Sequence, residues 1–283
     1  MNSAKAWVPA VKSCGIAVMA KASAPGRTKT RLVPPLTSQE AAAFNTAFLQ
    51  DISANILAAG KVRRIQPYMA YGPPGPESVA FFRDALPEEV GLLGAWWPDF
   101  GDCLYGSIDQ LIALGHASAV VLNSDSPTLP TSLLVETAEV LSHPGDRAVL
   151  GPSTDGGYYL LGLKARHHRL FEEITWSTDQ VAEQTLARAA EIGLAVHLLP
   201  AWYDVDDAQS LSVLYGELFE DRPFSRWHDR YRAASSAGLM RTLLARSDLA
   251  ARLDIVLRPT IAVVPVERWE RWRAHVTARK ETA

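Results

Sequence analysis

The stretch GIAVMAKASAPGRTKTRL, residues 15–32, passes from an apolar run into a strongly basic loop. The run from Gly15 to Lys21 is typical of a buried β-strand. The loop contains four cations and no acidic residue, so a nearby anion would relieve their mutual repulsion. These cations are Lys21, Arg27, Lys29 and Arg31. Because a Pro25-Gly26 turn can aim backbone N–H groups at a phosphate, we predict that this loop binds a diphosphate.

The loop matches neither of the two common phosphate-binding motifs, because the chain contains no G-x-x-x-x-G-K-[ST] and no G-x-G-x-x-G. A basic loop that only faces solvent is therefore the alternative. Nucleic acid is a further alternative for a basic patch, but residues 21–31 hold no aromatic side chain to stack on bases. We expect a small phosphorylated partner and no nucleic acid.

Strand and helix patterns alternate along the chain after this loop. Residues 37–60 begin with a hydroxyl cap and an early Glu40, and their apolar residues recur at helical spacing. Residues 117–123 (ASAVVLN) form the clearest buried strand. This alternation predicts an α/β fold, with a largely parallel sheet between two layers of helices. We expect an N-terminal tail (1–14), one domain (15–220) and a mainly helical C-terminal extension (221–283).

Charge is distributed unevenly along the chain, although the formal net charge is only -3. Residues 1–39 carry six basic and no acidic residues, and residues 221–283 carry thirteen basic and seven acidic ones. Residues 40–220, in contrast, carry nine basic and 24 acidic residues. A positive site in an acidic body favours a small anion over a long anionic polymer. Without a membrane-length apolar run or a secretory pattern, we expect a cytoplasmic protein with no membrane span.

A carboxylate follows the clearest strand in VVLNSDSPTLP, residues 120–130. Open α/β sheets bind ligands at the carboxyl ends of their strands, which is where Asp125 is expected. Mg²⁺ and Mn²⁺ prefer carboxylate oxygens and often bridge to substrate phosphates, so one or two aspartates suffice. We predict that Asp125 binds a divalent cation beside the diphosphate. An Asx-turn or a helix cap is the alternative for this residue.

A second metal ligand is predicted from WYDVDDAQSL, residues 202–211. Its three carboxylates, Asp204, Asp206 and Asp207, repel one another unless a cation lies nearby. Asp207 fits best as the N-cap of the following helix. We therefore predict that Asp206, and after it Asp204, shares the divalent cation with Asp125.

The stretch GPSTDGGYYLLGL, residues 151–163, places a carboxylate before a glycine pair and an amphipathic strand. A hairpin turn alone would account for the glycines. The alternative that we favour is a site for sugar hydroxyls, in which Asp155 orients or deprotonates an acceptor hydroxyl. The predicted acceptor or sugar site consists of Thr154, Asp155, Gly156, Gly157, Tyr158 and Trp176. Trp176 comes from ITWSTDQV, residues 174–181, where a hydrophobic staple ahead of a helix is the alternative.

Five motifs of the chain occur in the order typical of the DUF2064 family, which the chain resembles over about residues 15–215. The motifs are AKASAPGRTKTRLVPPLTSQEAA, NSDSPTLP, LGPSTDGGYYLLGL, ITWSTDQV and DVDDAQSL. The family comprises GT-A-like proteins regarded as glycosyltransferases, some of them assigned to arsenosugar biosynthesis, and it is related to MobA/CofC-type nucleotidyltransferases. The chain departs from the family at residues 101–107, GDCLYGS, where members usually have a segment like GDLGERM.

The resemblance implies a GT-A-like, nucleotide-diphospho-sugar transferase fold with three α/β/α layers, in which the sheet is mixed but mostly parallel. Carried over to this chain, it places Gly26, Arg27, Lys29 and Arg31 in the nucleotide loop, Asp125 in a DXD-like position and Asp206 in a late aspartate motif. The expected activity is a metal-dependent glycosyltransferase that moves a sugar from a nucleoside diphosphate donor to a small acceptor. We expect Asp125 and Asp155 to be catalytic.

Two other functions remain open at this point. A nucleotidyltransferase, which joins a nucleoside triphosphate to a phosphorylated small molecule and releases pyrophosphate, would need the same loop and the same cation. A nucleotide-binding module without catalysis would keep the fold and use its Arg- and Trp-rich C-terminus to contact a partner. The sequence leaves the base, the sugar, the acceptor and the oligomeric state undetermined.

Overall fold

The computed structural model describes residues 13–257, and it contains the predicted first strand, the helix predicted over residues 37–60 and the strand predicted over residues 117–123. Residues 1–12 of the expected tail and residues 258–283 of the expected extension lie outside the described residues. The strands are β1 (Cys14–Ala20), β2 (Ile65–Tyr71), β3 (Gly91–Gly94), β4 (Ser118–Leu122), β5 (Ala148–Pro152), β6 (Tyr158–Leu163) and β7 (Val196–Leu198). The helices are α1 (Ser38–Gly60), α2 (Pro76–Ala85), α3 (Phe100–Ala113), α4 (Thr131–Ser142), α5 (Val181–Glu191), α6 (Ala208–Phe219), α7 (Ala234–Arg246) and α8 (Leu249–Leu257).

The strands form one mixed sheet in the order β3-β2-β1-β4-β6-β5-β7. β1 pairs in parallel with β2 on one side and β4 on the other. β6 runs antiparallel to both of its neighbours, β4 and β5. Because β1 and β4 are parallel neighbours, the basic loop after β1 and the segment with Asp125 after β4 emerge at the same edge of the sheet.

Helices cover both faces of the sheet, as the buried strands require. Alternate side chains of β1 point to opposite faces. Ile16 and Val18 belong to a cluster with residues of α1 and α4, while Ala17 belongs to a second cluster with residues of α3 and α5. The three-layer α/β/α architecture is therefore confirmed. Within residues 13–257, no helix is long and apolar enough to cross a bilayer.

Two helix starts are defined in different ways, one by local sequence and one by a contact with another segment. Thr37 and Glu40 form the predicted capping box at the start of α1. The start of α5 depends on a contact with another segment: a hydroxyl cap at Ser177 or Thr178 predicts a helix from residue 178, but α5 begins at Val181. Ser177 adopts a left-handed backbone (φ 63°), and the backbone of Asp179 packs so closely on Gly156 that a Cβ there would lie 2.1 Å from its carbonyl oxygen. The contact with Gly156 therefore determines the backbone of residues 178–180, and these residues are not helical.

The described part of the extension packs onto α1. The Asp51 carboxylate of α1 accepts hydrogen bonds from the backbone N–H groups of Ser235 and Ser236, both at 2.8 Å, and so caps α7. Arg252 of α8 donates to both carboxylate oxygens of Glu40, at 2.9 and 2.8 Å. These contacts join α7 and α8 to α1, the helix that follows the basic loop.

Candidate active site

The loop after β1 begins with the predicted tight turn. Gly26 has φ 72°, and the N–H of Arg27 donates to the carbonyl of Ala24 at 3.1 Å. A positive φ at the third residue of such a turn favours glycine. Asn45 of α1 donates to the carbonyl of Lys21 and to Oγ of Ser23, which fixes the start of the loop.

Lys29 turns inward and connects three segments of the chain. Its backbone is left-handed (φ 51°), and its side chain is only 8% exposed. The Nζ atom donates to Oδ2 of Asp125 at 2.6 Å, to Oδ1 of Asp206 at 2.8 Å and to the carbonyl of Val205 at 3.0 Å. The structure thus brings together the basic loop, the segment after β4 and the segment before α6.

Arg31 is the second cation of this group and is largely exposed. It donates to the other carboxylate oxygen of Asp206. Asp206 therefore pairs with a buried ammonium on one side and an exposed guanidinium on the other.

The charges of this cluster shift its pKa values in opposite directions. Burial tends to raise the pKa of Asp206, but Lys29 and Arg31 outweigh it, so the pKa of Asp206 falls below its usual value. For Asp125, burial prevails with help from Asp206, and its pKa is raised despite Lys29. Burial tends to lower the pKa of Lys29, but the two carboxylates outweigh it and raise that pKa. Lys29 therefore stays an ammonium ion.

A cavity of about 700 Å³ opens beside this cluster. Its cationic lining consists of Lys21, Arg27, Lys29 and Arg31. Trp96 and Trp97, from the segment between β3 and α3, line the cavity as well. A space of this size, with cations and aromatic rings in its wall, can hold a nucleotide.

A second cavity, of about 470 Å³, adjoins the first. The residues that line both cavities are Met19, Arg31, Phe100, Asp125 and Asp206. From the predicted acceptor set, the second cavity is lined by Asp155, Gly157, Tyr158 and Trp176. Trp176 packs edge-on against Phe100, with ring centroids 5.3 Å apart. The cationic cavity and the predicted acceptor site therefore meet at the aspartate pair.

The second cavity presents buried polar atoms that have no hydrogen-bond partner among the described residues. They are Oδ1 of Asn123, Oδ1 of Asp125 and the hydroxyl of Tyr158. A buried polar group without a partner is costly, so such groups are usually completed by water or a ligand. Burial also raises the pKa of the Tyr158 hydroxyl, which keeps it protonated and able to donate.

Asp204 adds a further carboxylate to the second cavity. Its Oδ1 accepts a hydrogen bond from the Ser153 hydroxyl at 2.8 Å. Burial, together with the charges of Asp125, Asp155 and Asp206, raises the pKa of Asp204 to about 7. Of the predicted repulsion among the three aspartates before α6, the part between Asp204 and Asp206 is therefore present, and Asp125 and Asp155 from other segments add more. Asp207 is the N-cap of α6, where its side chain accepts from the N–H of Ser210, as predicted.

Four residues of the predicted set line neither cavity: Pro25, Gly26, Thr154 and Gly156. Pro25 and Gly26 shape the turn before Arg27. Gly156, with φ 97°, allows the close approach of Asp179. Asp155 is exposed at this turn, and its Oδ1 accepts from the N–H of Gly157 at 2.9 Å. The hairpin alternative thus explains part of this motif, while Asp155 and Tyr158 still reach the second cavity.

The donor set partly fits the expected divalent cation. Oδ1 of Asp125 is buried and free of protein hydrogen bonds, and carboxylate oxygen suits Mg²⁺ or Mn²⁺. Lys29 bonds the other oxygen of Asp125, and both oxygens of Asp206 are already bonded, one to Lys29 and the other to Arg31. Within residues 13–253, no group of three or more His, Cys, Asp or Glu side chains is arranged to hold a metal ion. Two carboxylates suffice only if a substrate phosphate completes the shell.

Sequence reasoning missed Trp96, Trp97 and Asn123 as lining residues. The signal for the tryptophans was available, because AWWPDF, residues 95–100, places two large aromatic residues directly after a strand. Asn123 directly precedes the SDSP segment that drew attention to Asp125. Asn123 lines the second cavity beside residues of β6, and this depends on the antiparallel pairing of β6 with β4. The alternation of strands and helices does not predict that pairing.

Part of the chain matches the DUF2064 family. The match covers residues 55–178, and the family is described as uncharacterized proteins conserved in bacteria. Among curated proteins, none matches the sequence. The resemblance inferred from the five motifs is thus confirmed over the central part of the chain.

Of the two similar solved structures described next, the first supports the same fold. A protein from Desulfovibrio desulfuricans G20, provisionally named a nucleotide-diphospho-sugar transferase, is 25% identical, with a TM-score of 0.73 over 86% of this chain and 99% of that chain. A cytidylyltransferase from Leptospira borgpetersenii serovar Hardjo-bovis is more distant, at 11% identity and a TM-score of 0.48, over 88% of this chain and 99% of that chain. The chain therefore has a nucleotide-diphospho-sugar transferase-like fold, as predicted.

Proposed function

We propose that this protein is a glycosyltransferase that moves a sugar from a nucleoside diphosphate donor to a small acceptor. One observation carries the proposal. The cation-lined cavity and the second cavity meet at Asp125, Asp206 and Arg31. A reaction that joins two substrates needs such a meeting point, because the donor carbon and the acceptor oxygen must lie within bonding reach. The likeness to the Desulfovibrio protein supports the same class of reaction.

In this proposal the first cavity binds the donor by its diphosphate. Arg27 and Arg31 contact the phosphates. Lys29 holds Asp125 and Asp206 in position beside them. When the bond from the sugar to the diphosphate breaks, negative charge builds up on the leaving group. Cations that are held in place beforehand stabilise that charge without further reorganisation.

A divalent cation, Mg²⁺ or Mn²⁺, is part of the proposal. Asp125 would hold it through its unbonded Oδ1 together with the diphosphate, and Asp206 would join once Arg31 turns from it to the phosphates. The cation would supply further positive charge for the leaving group. Lys29 contributes by setting the positions of both carboxylates.

The second cavity takes the acceptor. Its hydroxyl donor and amide oxygen, from Tyr158 and Asn123, are free to bind acceptor hydroxyls. Asp155 orients one acceptor hydroxyl and accepts its proton as the oxygen attacks the sugar carbon. The acceptor then becomes a glycoside, and the nucleoside diphosphate leaves with the bonding electrons.

The charge of the second cavity favours this activity over the nucleotidyltransferase alternative. Its acidic lining consists of Asp125, Asp155, Asp179, Asp204 and Asp206, against a single cation, Arg31. A phosphorylated acceptor would bring further negative charge next to these carboxylates, which is unfavourable at short range. A neutral or amine-bearing acceptor avoids that repulsion.

Product analysis tests the proposal. The protein is incubated with a panel of nucleotide sugars, neutral and amine-bearing acceptors and Mn²⁺, and in parallel with nucleoside triphosphates and phosphorylated acceptors. We expect release of a nucleoside diphosphate in the first set and no pyrophosphate in the second. Release of pyrophosphate with a phosphorylated acceptor, without turnover of any nucleotide sugar, would support the nucleotidyltransferase instead.

A further inference from the structure

Trp96 is an exposed tryptophan beside the cationic cavity, and we infer that it is the stacking surface for the nucleobase of the bound nucleotide. The inference rests on the proposed function for its choice of ligand. It adds a residue that binds the base, whereas the cations bind the phosphates.

The exposure of Trp96 is the first observation. It is 57% exposed, and its neighbour Trp97 is 37% exposed, although both line the 700 Å³ cavity. A large indole left open at the wall of a cavity favours a ligand with a flat apolar face. Trp227, which is 90% exposed, provides a contrast because it lines neither the 700 Å³ cavity nor the 470 Å³ cavity.

The position of the ring is determined by a glycine. A Cβ at Gly72, after β2, would lie 2.4 Å from the Trp96 ring and 2.9 Å from the carbonyl of Ala95. The indole therefore packs directly on the backbone of Gly72. Trp97 is held in the same way, since a Cβ at Gly106 of α3 would lie 2.6 Å from its ring. Both rings are held in place before any ligand arrives.

The composition of the cavity identifies the ligand class. The same 700 Å³ space holds Trp96 and the cations Lys21, Arg27 and Arg31. A ligand that fits both features has an aromatic part and a polyanionic part, which describes a nucleoside diphosphate. The aspartates that line the second cavity oppose binding of such an anion there. We therefore place the base against Trp96 and the diphosphate near Arg31.

Stacking has a consequence for specificity. Every base offers a π-face, and aromatic stacking therefore tolerates different bases. Trp96 adds affinity for nucleotides in general, and selection between bases has to come from other groups of the cavity.

The experiment compares nucleoside diphosphates with inorganic pyrophosphate, which lacks a base. Binding to the full chain is measured by isothermal titration calorimetry for the wild type, Trp96→Ala and Trp96→Phe, with Trp227→Ala as the matched control. We expect Trp96→Ala to weaken nucleoside diphosphate binding on the order of tenfold and to leave pyrophosphate binding unchanged. Trp96→Phe should retain most of the affinity, and Trp227→Ala all of it.

Gly72→Ala provides an independent variant, because its methyl group displaces the indole without removing it. We expect it to weaken nucleoside diphosphate binding and to spare pyrophosphate binding. Equal affinity of Trp96→Ala and wild type for nucleoside diphosphates, equal loss for both ligands, or no nucleotide binding by the wild type would each overturn the inference. Nucleotide binding that depends on Trp96 in a protein without sugar transfer would support it while refuting the proposed function.

Discussion

The Nζ atom of Lys29 lies 2.6 Å from Oδ2 of Asp125, although the two residues come from loops after different strands. Neither charge is isolated in this arrangement. The side chain of Lys29 is 8% exposed and that of Asp125 is 20% exposed, so each would be costly to bury alone. Asp206 completes the group at 2.8 Å from the same Nζ atom. The contact between Lys29 and Asp125 joins the loops on which the proposed site depends.

Replacing Lys29 by methionine should destabilise the protein and abolish nucleotide binding. The substitution leaves the carboxylates of Asp125 and Asp206 buried without their shared cation. We expect the free energy of unfolding to fall by about 3–5 kcal/mol, measured by urea denaturation. Adding Asp125→Asn in the same chain should restore part of this stability, but not nucleotide binding.

Lys61→Met is the matched control, because Lys61 is exposed at the end of α1. It should unfold at the same urea concentration as the wild type. If Lys29→Met behaved like Lys61→Met, the buried ion pairs would not contribute as described.

Substitution of two neighbouring aspartates should affect different properties, namely catalysis for Asp206 and stability for Asp207. Asp206→Asn removes the charge that pairs with Lys29 and Arg31, and should lower kcat/KM for sugar transfer on the order of 100-fold. Asp207→Ala removes the N-cap of α6, and should lower the free energy of unfolding by about 1 kcal/mol while leaving kcat/KM near the wild-type value. Steady-state kinetics and urea denaturation of both variants check the prediction. Equal kinetic losses in the two variants would contradict it.

Gly156→Ala should be more harmful than an alanine at another glycine with positive φ. Its Cβ would lie 2.1 Å from the carbonyl oxygen of Asp179, whereas a Cβ at Gly193 meets nothing within 4 Å. For Gly193→Ala we expect only the backbone cost of about 1 kcal/mol. For Gly156→Ala we expect a larger loss, together with reduced activity, because the turn also carries Asp155. Thermal unfolding of the two variants would refute this if their losses were the same.

His116 should make the fold sensitive to acid. It is 4% exposed, and its ring nitrogens lie 2.9 Å from Oγ of Ser13 and 2.8 Å from the hydroxyl of Tyr68. Burial lowers the pKa of His116 to about 4, from 6.5. The unfolded chain therefore binds a proton between pH 6.5 and 4 that the folded chain does not. The contribution of neutral His116 to the free energy of unfolding is fully present above pH 6.5. It decreases by about 3 kcal/mol as the pH falls from 6.5 to 4.

Urea denaturation of wild type and His116→Gln between pH 7 and pH 4 measures this dependence. The variant should lose about 3 kcal/mol less than the wild type over that range. His143→Gln, at an exposed position, should keep the wild-type dependence. Parallel pH curves for wild type and His116→Gln would show that His116 is not the responsible group.

Much of the fold follows from local patterns in the sequence. The apolar run of β1, the capping box of Thr37 and Glu40 and the buried strand β4 each define their element without help from distant residues. The position of Asp125 and of the basic loop at one sheet edge then follows from general properties of α/β sheets. This is why the meeting of Lys29, Arg31, Asp125 and Asp206 was predictable.

Other features depend on contacts between distant segments, which a linear pattern does not contain. The antiparallel insertion of β6 between β4 and β5 brings Tyr158 to the second cavity. The start of α5 is set by the contact of Asp179 with Gly156. The sequence alone does not predict a fixed position for the Trp96 ring. That position depends on Gly72, which lies 24 residues earlier in the chain and packs against the ring.

The binding of a nucleoside diphosphate is the most direct test of the central claim, because every proposed step needs a diphosphate beside Lys29 and Arg31. Thermal unfolding of the full chain is measured with each common nucleoside diphosphate, with and without Mn²⁺. We predict that at least one nucleoside diphosphate stabilises the wild type, by about 2.7 kcal/mol at 100 times its Kd, and that Mn²⁺ increases the effect. An unchanged unfolding temperature with every nucleoside diphosphate at millimolar concentration, with or without Mn²⁺, would contradict the account.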